Sequence, residues 1–186
     1  MTLSRAELET FAGATVPDLV GPGLRLLFVG INPSLLSAAT GLHFAHAGNR
    51  FYPALRAAGI LEPHALTPAA AAPLLVQRGV GITNLVARAT ARADQLDDDE
   101  IRDGRARLES FVGDHRPGVV AVAGITAYRL AFGSRRAGAG RQEATVHGAT
   151  VFVVPNPSGL NAHATVASLA RDYRAAAEAS GIPLLL

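Results

Sequence analysis

Three runs of apolar, largely β-branched residues stand out from the polar positions around them: 24–30 (LRLLFVG), 117–124 (PGVVAVAG) and 150–155 (TVFVVP). They are nearly continuous rather than alternating, which is the pattern of strands buried on both faces in a parallel sheet. A fainter run of the same kind is 79–85 (GVGITNL). Helical spacing fills the intervals, at 49–59, 68–78, 98–115, 126–132 and 162–180. In the last of these Val166, Leu169, Tyr173 and Ala177 form a stripe to be buried, while Arg171, Asp172 and Arg174 face away. Strands alternating with helices predict a three-layer α/β/α fold around a central, mostly parallel sheet of about four strands.

Composition narrows the picture. A chain of 186 residues, 49% hydrophobic and 17% charged, builds one good core. With no internal repeat and no linker-like boundary, 1–186 reads as a single domain, in which 1–21 is an N-terminal extension of less defined character. There is no cysteine, which excludes disulfides, thiolate nucleophiles, iron–sulfur clusters and cysteine-bearing zinc sites. No apolar run is long enough to span a bilayer, and the opening MTLSRAELETF lacks the pattern of a secretory signal, so a cytoplasmic protein with no membrane partner is expected. The formal net charge is +2, and all 17 basic residues are arginine. So small a charge gives little long-range attraction to nucleic acid, although a local arginine stripe is enough to contact phosphates. The acidic run 97–100 sits at a helix start, where the helix dipole favours carboxylates, and it is not read as a metal cluster.

In folds of this kind the working residues lie in the loops after the carboxyl ends of the strands. The loop after the first strand, 30–51, is long for a βα connection. Directly off that strand comes Asn32-Pro33, and directly off the last comes Asn156-Pro157. Proline restricts the residue before it to extended backbone, so each asparagine is held in a pre-set pose at the rim of the sheet. One such pair is a turn signal; two at the ends of separate buried strands suggest a site.

The segments GINPS (30–34), FAHAGNRF (44–51) and NPSGLN (156–161) together resemble the mismatch-specific uracil-DNA and thymine-DNA glycosylase family, a branch of the uracil-DNA glycosylase superfamily. The likeness runs from about Pro22 to the final helix and implies the same sandwich of helices around a parallel sheet. It implies that Asn32 holds the attacking water and that Phe44 stacks on a flipped base. It also places Asn156 near the pocket and sends Gly159 and Leu160 into the duplex, with Ser158, Asn161 and His163 beside them at the DNA. Ile31 falls at the base pocket, and Ser37 and His43 fall near the C5 side of the flipped pyrimidine. His43 matches a histidine of the thymine-processing branch, whereas Ser37 is more like the bacterial uracil-processing branch. Asn49 and Arg50 match a pair of mainly structural role. Ser34 stands where the family usually has glycine, and Ala162 where it often has arginine.

The resemblance thus implies a monofunctional base-excision enzyme acting as a monomer on double-stranded DNA that carries a mismatched or damaged base. The residue types suit that chemistry. Cleaving an N-glycosidic bond produces an oxocarbenium-like sugar and an anionic base, which calls for a positioned water and donors aimed at the departing base. A carboxamide orients water but does not take its proton at neutral pH, so catalysis leans on leaving-group stabilisation. The backbone amides of 31–34 and 44–46 are the expected donors, and no metal or redox cofactor is required. The lesion is left open among uracil, etheno adducts, thymine, xanthine and hypoxanthine. Two other functions stay in view: a catalytically weak lesion-binding protein, and a doubly wound enzyme acting on free nucleotides. The latter lacks the glycine-rich phosphate cradles it would need.

Several residues also carry simpler readings. Leu160 could staple onto Ala164 or Thr165, Asn161 could cap the final helix, and Phe44 could be core. His46 and His163 could donate to phosphate or to backbone, and the loop 133–141 is either a phosphate contact or a solvated connection.

Overall fold

The computed structural model describes residues 3–185. Five strands form one sheet: β1 (Leu26–Gly30), β2 (Val80–Asn84), β3 (Val119–Ala123), β4 (Gly140–Val146) and β5 (Ala149–Val154). Their order is β2-β1-β3-β5-β4, parallel except for β4, which runs antiparallel to β5. The α-helices among the described residues are α1 (Arg5–Glu9), α2 (Leu35–Thr40), α3 (Phe51–Ala57), α4 (Pro68–Gln77), α5 (Asp98–His115), α6 (Ile125–Phe132) and α7 (Val166–Ala179). Pleat alternation sends Leu26 and Phe28 into a core shared with α3, α4 and α7, and Leu27 and Val29 into one shared with α5 and α6. The three expected layers are therefore present.

The sheet has five strands rather than about four. The additional one, β4, lies within and beyond the stretch read as a loop at 133–141. Its residues are mostly exposed and polar, so it shows no buried alternation; it is an edge strand, held by the hairpin to β5. The turn is His147-Gly148, with φ of 46° and 84°, the two left-handed positions of a type I′ hairpin. The long loop after β1 also contains α2, too short to show helical periodicity. The final helix starts at Val166, not at Ala162, because Thr165 closes a capping box with Ser168. Asn161 is thus not its N-cap.

The N-terminal segment before β1 is attached along the site's edge. Leu19 and Ile82 exchange backbone hydrogen bonds of 2.9 and 2.8 Å, and Gly13 and Ala14 pair with Ala89 at 2.9 and 2.8 Å. Asp18 accepts from Thr83 Oγ1 at 2.6 Å and takes a two-pronged contact from Arg107 on α5.

Helix α5 seats directly on the chain leaving β2. A Cβ on Gly104 would stand 2.8 Å from the carbonyl oxygen of Leu85. Gly104→Ala gains about 1 kcal/mol of helix propensity and loses about 1–3 kcal/mol to overpacking against backbone. Urea unfolding is expected to show a net loss of stability; a gain would mean that α5 is free to slide on β2.

Candidate active site

The strand order reverses between β1 and β3, and the crevice of such a sheet opens at the carboxyl ends there. On β1 the side chains of Leu26 and Phe28 are followed on the same face by Gly30, and on β2 those of Val80 and Ile82 by Asn84. Gly30 and Asn84 are register partners. A Cβ on Gly30 would lie 2.4 Å from Asn84 Oδ1 and 3.3 Å from Phe44 Cζ, so the missing side chain leaves room for the asparagine and the aromatic to converge over β1. Phe44 has φ of 52°, an uncommon left-handed backbone for a non-glycine residue. Its half-buried ring is stacked on fully buried Phe51, with centroids 4.0 Å apart. Phe44 is therefore the outermost ring of a stack rooted in the core.

Asn32 lies two residues beyond β1. Its Nδ2 donates to the carbonyl of Arg88 at 3.1 Å and to Thr90 Oγ1 at 2.7 Å. The Thr90 hydroxyl gives its own proton to the carbonyl of Arg92 at 2.7 Å, so toward Asn32 it can only accept. Both amide protons of Asn32 are thus spent, the carboxamide cannot flip, and Oδ1 has no partner among the described residues. The seat is braced in turn. Arg88 holds Glu100 through two short contacts of 2.6 and 2.7 Å, and Glu100 also accepts from the Asp97 amide at the start of α5. These bonds hold the Glu100 carboxyl down at about 2. In the acidic run 97–100, Asp97 and Glu100 cap α5, Glu100 also anchors Arg88, and Asp98 and Asp99 pair with Arg102. The amides of Asn32, Phe44 and His46 donate to no acceptor among the described residues.

His43 is buried beside Asn84. Nε2 is 3.0 Å from the carbonyl of Pro17, and Nδ1 is 3.4 Å from Asn84 Nδ2. Burial lowers its pKa, which the Pro17 carbonyl and Asp18 partly oppose. The Tyr52 hydroxyl donates to the His43 carbonyl at 2.9 Å. Ser37 is buried with its hydroxyl 3.0 Å from Ser34 Oγ and 3.4 Å from the Ala45 amide, holding the turn that carries Phe44. The Ile31 side chain turns the other way: its Cδ1 would be 3.2 Å from a Cβ on Gly124, on the α6 side of the sheet.

The two loops meet through Arg50. Its guanidinium donates to the carbonyls of Ser158 (3.2 Å), Gly159 (3.3 Å) and Asn161 (2.9 Å), and its amide to that of Pro157 (2.9 Å). Gly159 presses on the first loop, and a Cβ there would meet the Gly48 carbonyl at 2.7 Å. Asn156 Oδ1 accepts from the Ser158 amide, and the Asn156 carbonyl accepts from Asn161 Nδ2. At the tip of this clamped loop Leu160 is 90% exposed, so it staples onto neither Ala164 nor Thr165. His46 and His163 are exposed; His46 Nδ1 accepts from the Gly48 amide, and the His163 amide donates to Asn161 Oδ1.

Sequence reasoning missed Asn84, Arg88 and Thr90. Asn84 was legible in outline, as a polar residue at the inward position that continues Val80 and Ile82. Nothing local marks the other two, which meet Asn32 only through the fold.

Among the described residues no helix is long and apolar enough to cross a membrane. The chain is similar in structure to a protein of Methanosarcina acetivorans solved by solution NMR as a candidate uracil DNA glycosylase. The TM-score is 0.61 at 16% identity, over 87% of this chain and 96% of that one, which shows the shared fold. Residues 17–178 match the family model described as "UDG: Uracil DNA glycosylase superfamily". That match takes in both Asn-Pro loops, the Gly30–Asn84 pair and all five strands, and the chain belongs to the uracil DNA glycosylase superfamily, hydrolytic enzymes of DNA repair.

Proposed function

We propose that this chain is a mismatch-directed uracil-DNA glycosylase in which Asn32 positions the hydrolytic water. The observation that carries the proposal is the Asn32 carboxamide, with both N–H groups spent and Oδ1 left as a fixed acceptor for a water proton. The water keeps its lone pair for the anomeric carbon. A carboxamide is no strong base, so the barrier must be lowered on the leaving side, where the amides of Phe44 and His46, unpaired among the described residues, suit a departing pyrimidine oxygen.

The flipped base would stack on the face of Phe44 turned away from Phe51, with the Asn84 carboxamide at its edge. Leu160, exposed on a loop clamped at three carbonyls by Arg50, suits a wedge that fills the vacated stack. An apolar tip needs a stiff mount to push bases apart, and the clamp supplies one. Ser158, Asn161 and His163 share that loop and would lie at the DNA backbone. The chain would act as a monomer, since one pocket and one wedge suffice.

Two outcomes test this reading. Asn32→Ala should lose at least about a hundredfold in single-turnover uracil release, in the range of a positioned catalytic group, while its affinity for G·U duplex stays near wild type. Retention of the wild-type rate would remove Asn32 from its role. The second concerns lesion choice. Ser37 is fixed beneath the Ala45 turn, and one excluded methyl is worth about 1–3 kcal/mol of discrimination. On identical duplexes, uracil should leave G·U faster than A·U, because a wobble pair costs less to open, and thymine should leave G·T little or not at all. Equal rates for G·U and A·U, or for uracil and thymine, would contradict this account of the pocket.

A further inference from the structure

We infer that His43 is a positioning residue that sets the hydrogen-bond polarity of the Asn84 carboxamide, and that the N-terminal segment sets His43 through the Pro17 carbonyl. The inference rests on the pocket reading above and adds to it what decides which atom of Asn84 a base meets.

The chain of reasoning begins at a group with one possible role. A proline carbonyl only accepts, so at 3.0 Å from Pro17 the His43 Nε2 carries the proton. The ring is buried and its neutral form is favoured, which leaves Nδ1 as an acceptor. Its neighbour at 3.4 Å is the Asn84 side chain, which must then offer its NH2 end. That orientation turns Asn84 Oδ1 toward Gly30, over which Phe44 also converges, and so toward the place the flipped base would take in the reading above. Oδ1 has no protein partner among the described residues. The pocket thus presents an acceptor, which suits a base edge bearing a ring N–H and opposes one bearing a ring lone pair. Were the imidazole proton on Nδ1 instead, Asn84 would be flipped and the preference inverted.

The chain immediately after Pro17 is held in place. Leu19 pairs with Ile82 on β2, and Asp18 is tied to Thr83 and Arg107. A segment outside the sheet therefore fixes a proton on a ring that never needs to touch the substrate.

Two measurements on the full chain test this. Long-range 1H–15N correlation at neutral pH should show His43 neutral with its proton on Nε2, and Asn84→Ala should shift Nδ1 and leave Nε2 in place. A proton on Nδ1, or an Nδ1 signal indifferent to Asn84→Ala, would overturn the inference. The kinetic arm compares release of uracil and of 3-deazauracil, which lacks the ring N–H, opposite guanine. His43→Phe should reduce the preference for uracil by about tenfold, the order of one hydrogen bond, and should reduce it no further in an Asn84→Ala background. His43→Gln, able to accept from Asn84 and donate to Pro17, should retain most of it. Equal loss in both backgrounds, or equal loss on both bases, would make His43 a packing residue only. If the wild-type chain releases neither base, the glycosylase reading fails, and the tautomer measurement still decides the His43–Asn84 pairing.

Discussion

A carboxamide is a useful acceptor only when it cannot turn over and become a donor, and in the proposed reading the site depends on stopping that rotation. At Asn32 the Arg88 carbonyl and the Thr90 hydroxyl take both amide protons, and Thr90 is kept an acceptor because its own proton goes to Arg92. Each bond is ordinary in strength, about 0.5–1.5 kcal/mol net. What they provide together is direction: an oxygen that faces one way at the end of β1.

The rest of the molecule serves that direction at increasing distance. Arg88 stays in place because Glu100, fixed in the first turn of α5, grips its guanidinium. Helix α5 is seated on Leu85, one residue past Asn84, by a glycine with no room for a methyl. Ala89 is paired to the N-terminal segment. On the opposite side of the pocket, Phe44 borrows rigidity from Phe51, which packs edge-on against Phe28 in the core. Arg50 stiffens the other loop by donating to its carbonyls, so the exposed Leu160 is backed by a network and not by a free hairpin.

Much of the frame was legible in the sequence because burial on both faces leaves an apolar run that little else produces. Strands β1, β3 and β5 are such runs, and 98–115 matches α5 to the residue because its acidic first turn marks the start. The two Asn-Pro pairs were visible because proline constrains its neighbour directly. The polar edge strand β4 was not visible, since its inward positions are nearly as polar as its outward ones. The six-residue α2 was hidden by its length. Thr90 and Arg88 carry no local mark: they matter only because parallel pairing places the end of β2 beside the end of β1, a relation between residues about 56–58 apart in the chain. The N-terminal segment reads as an extension for the same reason, since its contacts are a proline carbonyl, the Asp18 carboxylate and a few backbone bonds to distant parts of the chain.

The most direct test of the central claim removes the brace and leaves the asparagine. Thr90→Val keeps the buried shape at that position while taking away the oxygen that accepts from Asn32 Nδ2, freeing the carboxamide to turn. If a fixed Oδ1 is what holds the hydrolytic water, single-turnover release of uracil from a G·U duplex should fall by about tenfold or more, the order of one hydrogen bond that orients the catalytic group, with duplex affinity unchanged. A folded Thr90→Val protein that releases uracil at the wild-type rate would contradict the account.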